Sequence, residues 1–357
     1  MDLLCRKRTG LDKIWQLKIS FRFLHNKLDE KNISYGMIQK SKVIQDKGQN
    51  IQKGVLMMKA RKWRRWIFMA VLLVGVLCLR QPVQAAESQM LGDTMRLAVK
   101  VATAPIHSEA SGDSAVVKNV GFGEKLKVTE KTGNWYKVSD GYIHTSKVVL
   151  YDKNKKHIAL TFDDGPSKAN TKKVLAALKK YNARATFMVV GQNINSRTGD
   201  LLKQELEMGC EIGNHSYTHA NFKKIGLKKV KAEIQKTDNK VNQYTGTTPT
   251  LIRAPYGAFT KSVLKSFTRP NIFWNVDTLD WKYRNSKRLI NYVSKNAGDG
   301  KIVLMHDIHK TTANAADSIL KNLTKKGYEM VTVTELSAIK GQKMSAGKTY
   351  ASFKSKK

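Results

Sequence analysis

The stretch His157-Ile158-Ala159-Leu160-Thr161-Phe162-Asp163-Asp164-Gly165-Pro166 decides how this chain reads. A six-residue apolar run, HIALTF, is long enough for one buried strand, and it ends in two carboxylates and a Gly-Pro turn. The same texture recurs outward as ATFMVV (185–190), CEIGNH (210–215), TLIRAP (250–255), NIFWNV (271–276), KIVLMH (301–306) and YEMVTV (328–333). Helical stretches separate these runs, among them TKKVLAALKKY (171–181), KKVKAEIQKTDNKVNQY (228–244) and ADSILKNLTKKG (316–327). Seven β-α repeats in under 200 residues predict a parallel sheet, open or closed into a barrel.

In α/β barrels the reacting groups come from the carboxyl ends of the strands. The first strand ends in Asp163-Asp164-Gly165-Pro166, the third in Asn214-His215-Ser216-Tyr217-Thr218-His219, and the fourth in Arg253-Ala254-Pro255-Tyr256-Gly257. The fifth runs into Asp277-Thr278-Leu279-Asp280-Trp281, and the sixth ends in Leu304-Met305-His306-Asp307. Taken singly, each is weak. Adjacent aspartates before Gly-Pro are commonly a turn, and a lone histidine is commonly structural. Two histidines four apart can share one face of a helical turn, a metal-ligand geometry, but HxxxH alone is a poor signal. Three of the chain's eight histidines and the acids fall together at strand ends, which points to one site.

These residues resemble the polysaccharide deacetylases of the NodB-homology type, carbohydrate esterase family 4. The resemblance runs from about His157 to Tyr350 and includes all five of that family's motifs in order. It implies an α/β fold, a distorted (β/α) barrel catalytic domain over 155–340. It further implies Asp164, His215 and His219 as ligands of a divalent metal, usually zinc, with cobalt or another ion as substitutes. Asp163 would be the general base and His306 the general acid. Arg253 would pair with Asp163, and Asp280 would tune His306. Trp281 and Leu304 would wall the pocket for the acetyl methyl, and the backbone N–H of Tyr256 would complete the oxyanion site.

The chemistry supports these roles independently. Two neutral imidazoles and one carboxylate leave a divalent ion net positive with open positions. Such an ion lowers the pKa of bound water from 15.7 towards about 7. Arg253 would keep Asp163 ionised beside Asp164. A departing amine must be protonated, and a histidine with an unperturbed pKa near 6.5 suits that step. An iron oxygenase uses a similar facial triad. Its chemistry, however, needs neither a second carboxylate beside the ligand nor a separate acid histidine. Ala254 stands where the family often has proline. Cys210 reads as a buried strand thiol, and His309 is expected on the surface.

Upstream, residues 93–151 alternate in short apolar runs, MRLAVKV, SAVVKNV, EKLKVTEKTG and NWYKVSDGYIHTSKVVL, which predict a small all-β barrel or sandwich. The segments Gly133-Asn134-Trp135-Tyr136-Lys137-Val138 and Gly141-Tyr142-Ile143-His144 resemble the bacterial SH3-like domain of secreted wall enzymes. That resemblance implies a targeting module for peptidoglycan or its peptide stems. One ring of the Trp135-Tyr136 pair is expected in the core. Residues 57–85 hold a basic flank, the fourteen-residue apolar run Trp66–Leu79 and the small-residue site Val83-Gln84-Ala85, the parts of a secretory signal. Left uncleaved, the segment would anchor the chain in a membrane, although a span normally needs about 18 apolar residues. Either way the downstream chain lies outside the cell. Translation is expected to start at Met57 or Met58, making 1–56 a non-native extension. Residues 341–357, basic and poor in apolar side chains, are expected to form a loosely packed tail.

The 357 residues, 41% hydrophobic and 26% charged, exclude a disordered chain and a multi-span membrane protein. The formal charge of +36 calls for an anionic partner: nucleic acid, a membrane surface or a polyanionic matrix. Residues 1–85 hold eighteen basic and five acidic side chains, and the remainder holds forty-six against twenty-three. The lysines are spread over many helices without a nucleic-acid motif, so the anionic cell wall is the expected partner and nucleic acid is not. Cys5, Cys78 and Cys210 form no CxxC pair, which excludes a zinc finger or thioredoxin-type site. The expectation is a secreted, metal-dependent deacetylase of N-acetylglucosamine in peptidoglycan. Alternative substrates are chitooligosaccharide, poly-N-acetylglucosamine and acetylxylan. A wall-binding protein built on a dead enzyme is disfavoured because Asp163, Asp164, His215, His219 and His306 are all present.

Overall fold

A computed structural model describes residues 88–354. The expected extension (1–56) and signal segment (57–85) lie outside the described residues. Among those described, no helix is long and apolar enough to cross a membrane.

The first part is all antiparallel strand. Its elements are β1 (Ser88–Met90), β2 (Met95–Val99), β3 (Thr103–His107), β4 (Val116–Gly121), β5 (Lys125–Thr132), β6 (Trp135–Val138), β7 (Gly141–His144) and β8 (Val148–Asp152). They pair in the order β4-β3-β7-β6-β5-β2-β8, with β1 on β5. Alternation sends Leu126 and Val128 of β5 and Tyr136 and Val138 of β6 inward, where they meet Leu97, Ile106 and Ile143. Trp135 points the other way and sits edge-on between His107 and His144, at 5.2 and 5.1 Å. One ring of the pair is therefore core and the other is not.

The second part is parallel. β9 (Lys156–Asp163) is central, flanked by β10 (Thr186–Val189) and β14 (Ile302–His306); β11 (Glu211–Asn214) and β13 (Val276–Asp277) follow outside them. β15 (Tyr328–Val331) pairs with the first half of β9. The ring closes irregularly. The expected strand TLIRAP contributes one bridge residue, Ile252, between Asn214 and Asn271. It goes no further because Pro255 has no N–H to give and Tyr256 turns into left-handed conformation (φ 59°). The run NIFWNV splits into β12 (Asn271–Ile272) and β13, because its two ends bond different neighbours: Phe273 N–H donates to Tyr350 and Asn275 N–H to Ile302. One segment thus joins the Ile252 side to β14, giving a distorted barrel.

Helices α1 (Asn170–Lys180), α2 (Gly199–Glu207), α3 (Leu227–Thr245), α4 (Lys261–Ser266), α5 (Asp280–Tyr283), α6 (Ser286–Asn296), α7 (Lys310–Lys325) and α8 (Val333–Ile339) complete the alternation. Their apolar faces, such as Val174, Leu175 and Leu178 on α1 and Ile319, Leu320 and Leu323 on α7, pack on the sheet.

The expectation of a loose tail is corrected over its described residues, 341–354. β16 (Thr349–Tyr350) pairs with β12, and Phe353 is fully buried, its N–H donating to Gly300 at 2.8 Å. Two aromatic anchors, Tyr350 and Phe353, suffice to seat a basic segment in which Lys343, Lys348 and Lys354 stay in water. Gly300 is required there, since a Cβ would fall 1.7 Å from the Phe353 carbonyl oxygen.

Candidate active site

Asp163 is the last residue of β9 and stands in register with His306, the last residue of adjacent β14. Parallel pairing alone therefore sets a carboxylate and an imidazole side by side at one barrel end. Asp164 then turns left-handed (φ 74°), held by Asn193, whose amide donates to its carbonyl at 2.7 Å. The turn aims the two carboxylates at different partners. Gly165 must be glycine, because a Cβ would lie 2.6 Å from the Asp307 carboxylate oxygens.

Asp163 Oδ1 accepts from Arg253 Nη1 at 2.5 Å. The guanidinium is fully buried, and three of its other four N–H donors are met by Thr161 Oγ1 (2.8 Å) and the carbonyls of Ile272 (3.0 Å) and Phe273 (3.1 Å). Arg253 is thereby locked, and it positions Asp163.

His215 and His219 do come together, with ring centroids 5.0 Å apart, but not on a helical turn. Ser216 (φ 65°) and His219 (φ 59°) are left-handed, and Glu233 pins the loop by accepting from the N–H groups of Tyr217 (2.9 Å) and Thr218 (2.7 Å). A loop with two reversals, rather than helical periodicity, makes the pair. His215 Nδ1 lies 2.7 Å from the Arg253 carbonyl, which fixes the proton there and leaves Nε2 as a lone pair. That Nε2 is 3.6 Å from Asp164 Oδ1, and His219 Nε2 is 3.3 Å from the same atom. Burial pushes both imidazoles below their ordinary pKa and pushes the Asp164 carboxyl up. Asp164 Oδ1 is buried with no hydrogen-bond donor of its own. One ligand atom from each of Asp164, His215 and His219 falls within 4.8 Å of the others, so the three side chains fit a divalent cation.

His306 Nδ1 lies 2.7 Å from Asp280 Oδ1. Asp280 Oδ2 accepts from the His306 N–H (2.8 Å) and the Thr312 hydroxyl (2.7 Å). Burial disfavours the imidazolium, but the hydrogen bond and charge of Asp280 outweigh it and raise His306 to about 9. At neutral pH His306 holds a proton that it can donate from Nε2.

All ten expected site residues gather here: eight line a cavity of about 550 Å³ walled by Trp281, Leu304 and Tyr256, with Trp274, Ile308 and Arg284 added by the structure, and Arg253 and Asp280 stand behind Asp163 and His306. His309 is a correction: only 8% exposed, it lines the cavity with its ring 5.6 Å from His306. A histidine three residues past a strand end carries no signal of which way it folds back. Thr161, Asn193 and Thr312 were missed for the same reason. Cys210 is buried and its thiol is pushed up to about 12 by burial, so it is no nucleophile.

The chain matches the family described as polysaccharide deacetylase over residues 151–271 and the bacterial SH3 domain over 102–148. It is 48% identical over 198 residues to the peptidoglycan-N-acetylglucosamine deacetylase PgdA of Listeria monocytogenes, covering 56% of this chain and 42% of that protein. It is 41% identical over 201 residues to the peptidoglycan-N-acetylmuramic acid deacetylase PdaC of Bacillus subtilis, covering 56% of this chain and 43% of that one. The match thus spans less than half the length of these two relatives. The solved structure of PdaC superposes with a TM-score of 0.52 at 41% identity, covering 54% of this chain and 94% of that chain. A family 4 acetyl xylan esterase from Clostridium thermocellum, solved with a cobalt ion, gives 0.53 at 33% identity, covering 55% and 98%.

Proposed function

This chain belongs to the polysaccharide deacetylase family, and from that premise we propose that it is an extracellular, metal-dependent hydrolase of the N-acetyl group of N-acetylglucosamine in peptidoglycan. The observation that carries this reading is the register pairing of Asp163 with His306 beside the Asp164–His215–His219 set. Hydrolysis of an acetamide needs a base and an acid on either side of one carbonyl carbon, and these two residues supply them.

Asp164, His215 and His219 are the proposed ligands. A divalent cation held there, zinc in this proposal, would supply Lewis acidity toward the acetamide carbonyl and would acidify the attacking water. Asp163 takes the water proton on Oδ2, the oxygen that Arg253 leaves free. His306 delivers its proton to the nitrogen as the carbon–nitrogen bond breaks, so acetate and an amine leave. The backbone N–H of Tyr256 donates to the developing oxyanion. Trp281 and Leu304 wall the methyl group. The SH3-like part holds the enzyme on the wall, aided by a net basic surface.

The test is acetate release from purified peptidoglycan, chitopentaose and acetylxylan, with zinc or cobalt and with chelator. Mass spectrometry of the digested product identifies which amino sugar lost its acetyl group. Metal-dependent acetate from peptidoglycan is expected, with His306→Ala lowering kcat by about 10²–10⁴-fold. No metal-dependent acetate from any acetylated glycan would sink the proposal.

A further inference from the structure

Deacetylation leaves one charged group of the cavity without a task. Arg284 lines the cavity beside Trp281, Ile308 and His309. Among the described residues its side chain bonds the Trp281 carbonyl (2.6 Å) and Nδ1 of His309, and it forms no ion pair with a carboxylate. Besides Asp163 and Asp164, the acid in the cavity lining is Asp277, which accepts from the Leu279 N–H at 3.0 Å. His309, driven down to about 4 by burial and by Arg284, is neutral and serves as an acceptor that holds the guanidinium.

The backbone is committed to this placement too. Arg284 is left-handed (φ 46°) with its N–H on the Asp280 carbonyl at 3.1 Å, and Asn285 then caps α6. Non-glycine residues held in that conformation cluster at ligand-binding sites. Neutral N-acetylglucosamine offers nothing to a cation. In peptidoglycan that sugar alternates with one bearing a lactyl ether, whose carboxyl is free or linked to a peptide stem with carboxylates of its own.

Resting on the deacetylase reading, we propose that Arg284 is a specificity-determining residue that binds a carboxylate carried by the glycan next to the reacting acetamide. A planar guanidinium prefers such a partner, which it grips through parallel N–H donors.

Three glycans would be compared: chitopentaose, which has no charge; glycan strands stripped of peptide, which bear the free lactyl carboxylate; and muropeptides, which bear stem carboxylates. Wild type should favour one or both charged glycans, and moderate salt should reduce that preference. Arg284→Gln should lower the ratio of kcat/KM on the charged glycan to that on chitopentaose by about tenfold or more, chiefly through KM. Arg284→Lys should restore part of it. The charged glycan that shows the loss identifies which carboxylate is read. A ratio unchanged within twofold, with acetate still released, overturns this inference and leaves the deacetylase reading standing. No acetate from any of the three by wild type overturns both.

Discussion

Six of the seven non-glycine residues with positive φ among the described residues carry or flank the cavity: Asp164, Ser216, His219, Tyr256, Leu279 and Arg284. Each such conformation costs on the order of 1 kcal/mol, and the cost is met by fixed partners such as Asn193 and Glu233. The same residue-level account yields a pH dependence. His306 stands at about 9 through Asp280, so as the acid it should keep kcat up to about that pH and lose it above. Asp280→Asn removes the cause, and the alkaline limb of the pH–rate profile should move down toward about 6.5. An unmoved limb would show that His306 is not the proton donor. The stability effect has a matching sign. Because the folded pKa is raised, the His306–Asp280 pair stabilises fully below about 6.5 and is lost as pH rises through about 9.

At the scale of elements, barrel closure depends on two short strands that no alternation pattern marks. β12 is held between the Ile252 bridge and β16, and β16 is seated by Phe353. Phe353→Ala should therefore cost about 3–5 kcal/mol, read as a lower midpoint in urea unfolding. A loss below about 1 kcal/mol would mean that the segment frays after all. Six of the seven apolar runs were legible as strands because each is long enough to bury one, and TLIRAP left only the Ile252 bridge. Where the fourth and fifth runs stop was not legible, because it depends on which neighbour each N–H finds.

At the scale of the molecule, the SH3-like part and the barrel share one core. Ala98, Val149 and Tyr151 pack with Ala159, Leu336 and Ile339, and Lys125 donates to the Ala338 carbonyl at 2.7 Å at the end of α8. This junction meets Ala159 in the first half of β9, whereas Asp163 ends the strand, so four residues of β9 separate junction from cavity by about 13 Å. The all-β part is thus a fixed foundation at the end opposite the chemistry. Removing residues 88–152 should expose Ala159, Leu336 and Ile339 and lower the thermal midpoint of the remaining barrel. Equal midpoints for the long and short chains would show that the two parts are independent.

The order of acids and histidines at strand ends was legible in the sequence alone, because the β-α alternation defines those ends, whereas the proposed metal ligands and acid–base pair rested on the family resemblance that those residues carry. Tertiary structure alone decided that His215 and His219 meet through a loop, that His309 and Arg284 face the cavity, and that the basic tail completes the barrel. Those outcomes depend on which groups lie opposite after folding. Spacing along a chain does not encode that, because hydrogen bonds and burial are satisfied by partners up to hundreds of residues away, as Lys125 and Ala338 are.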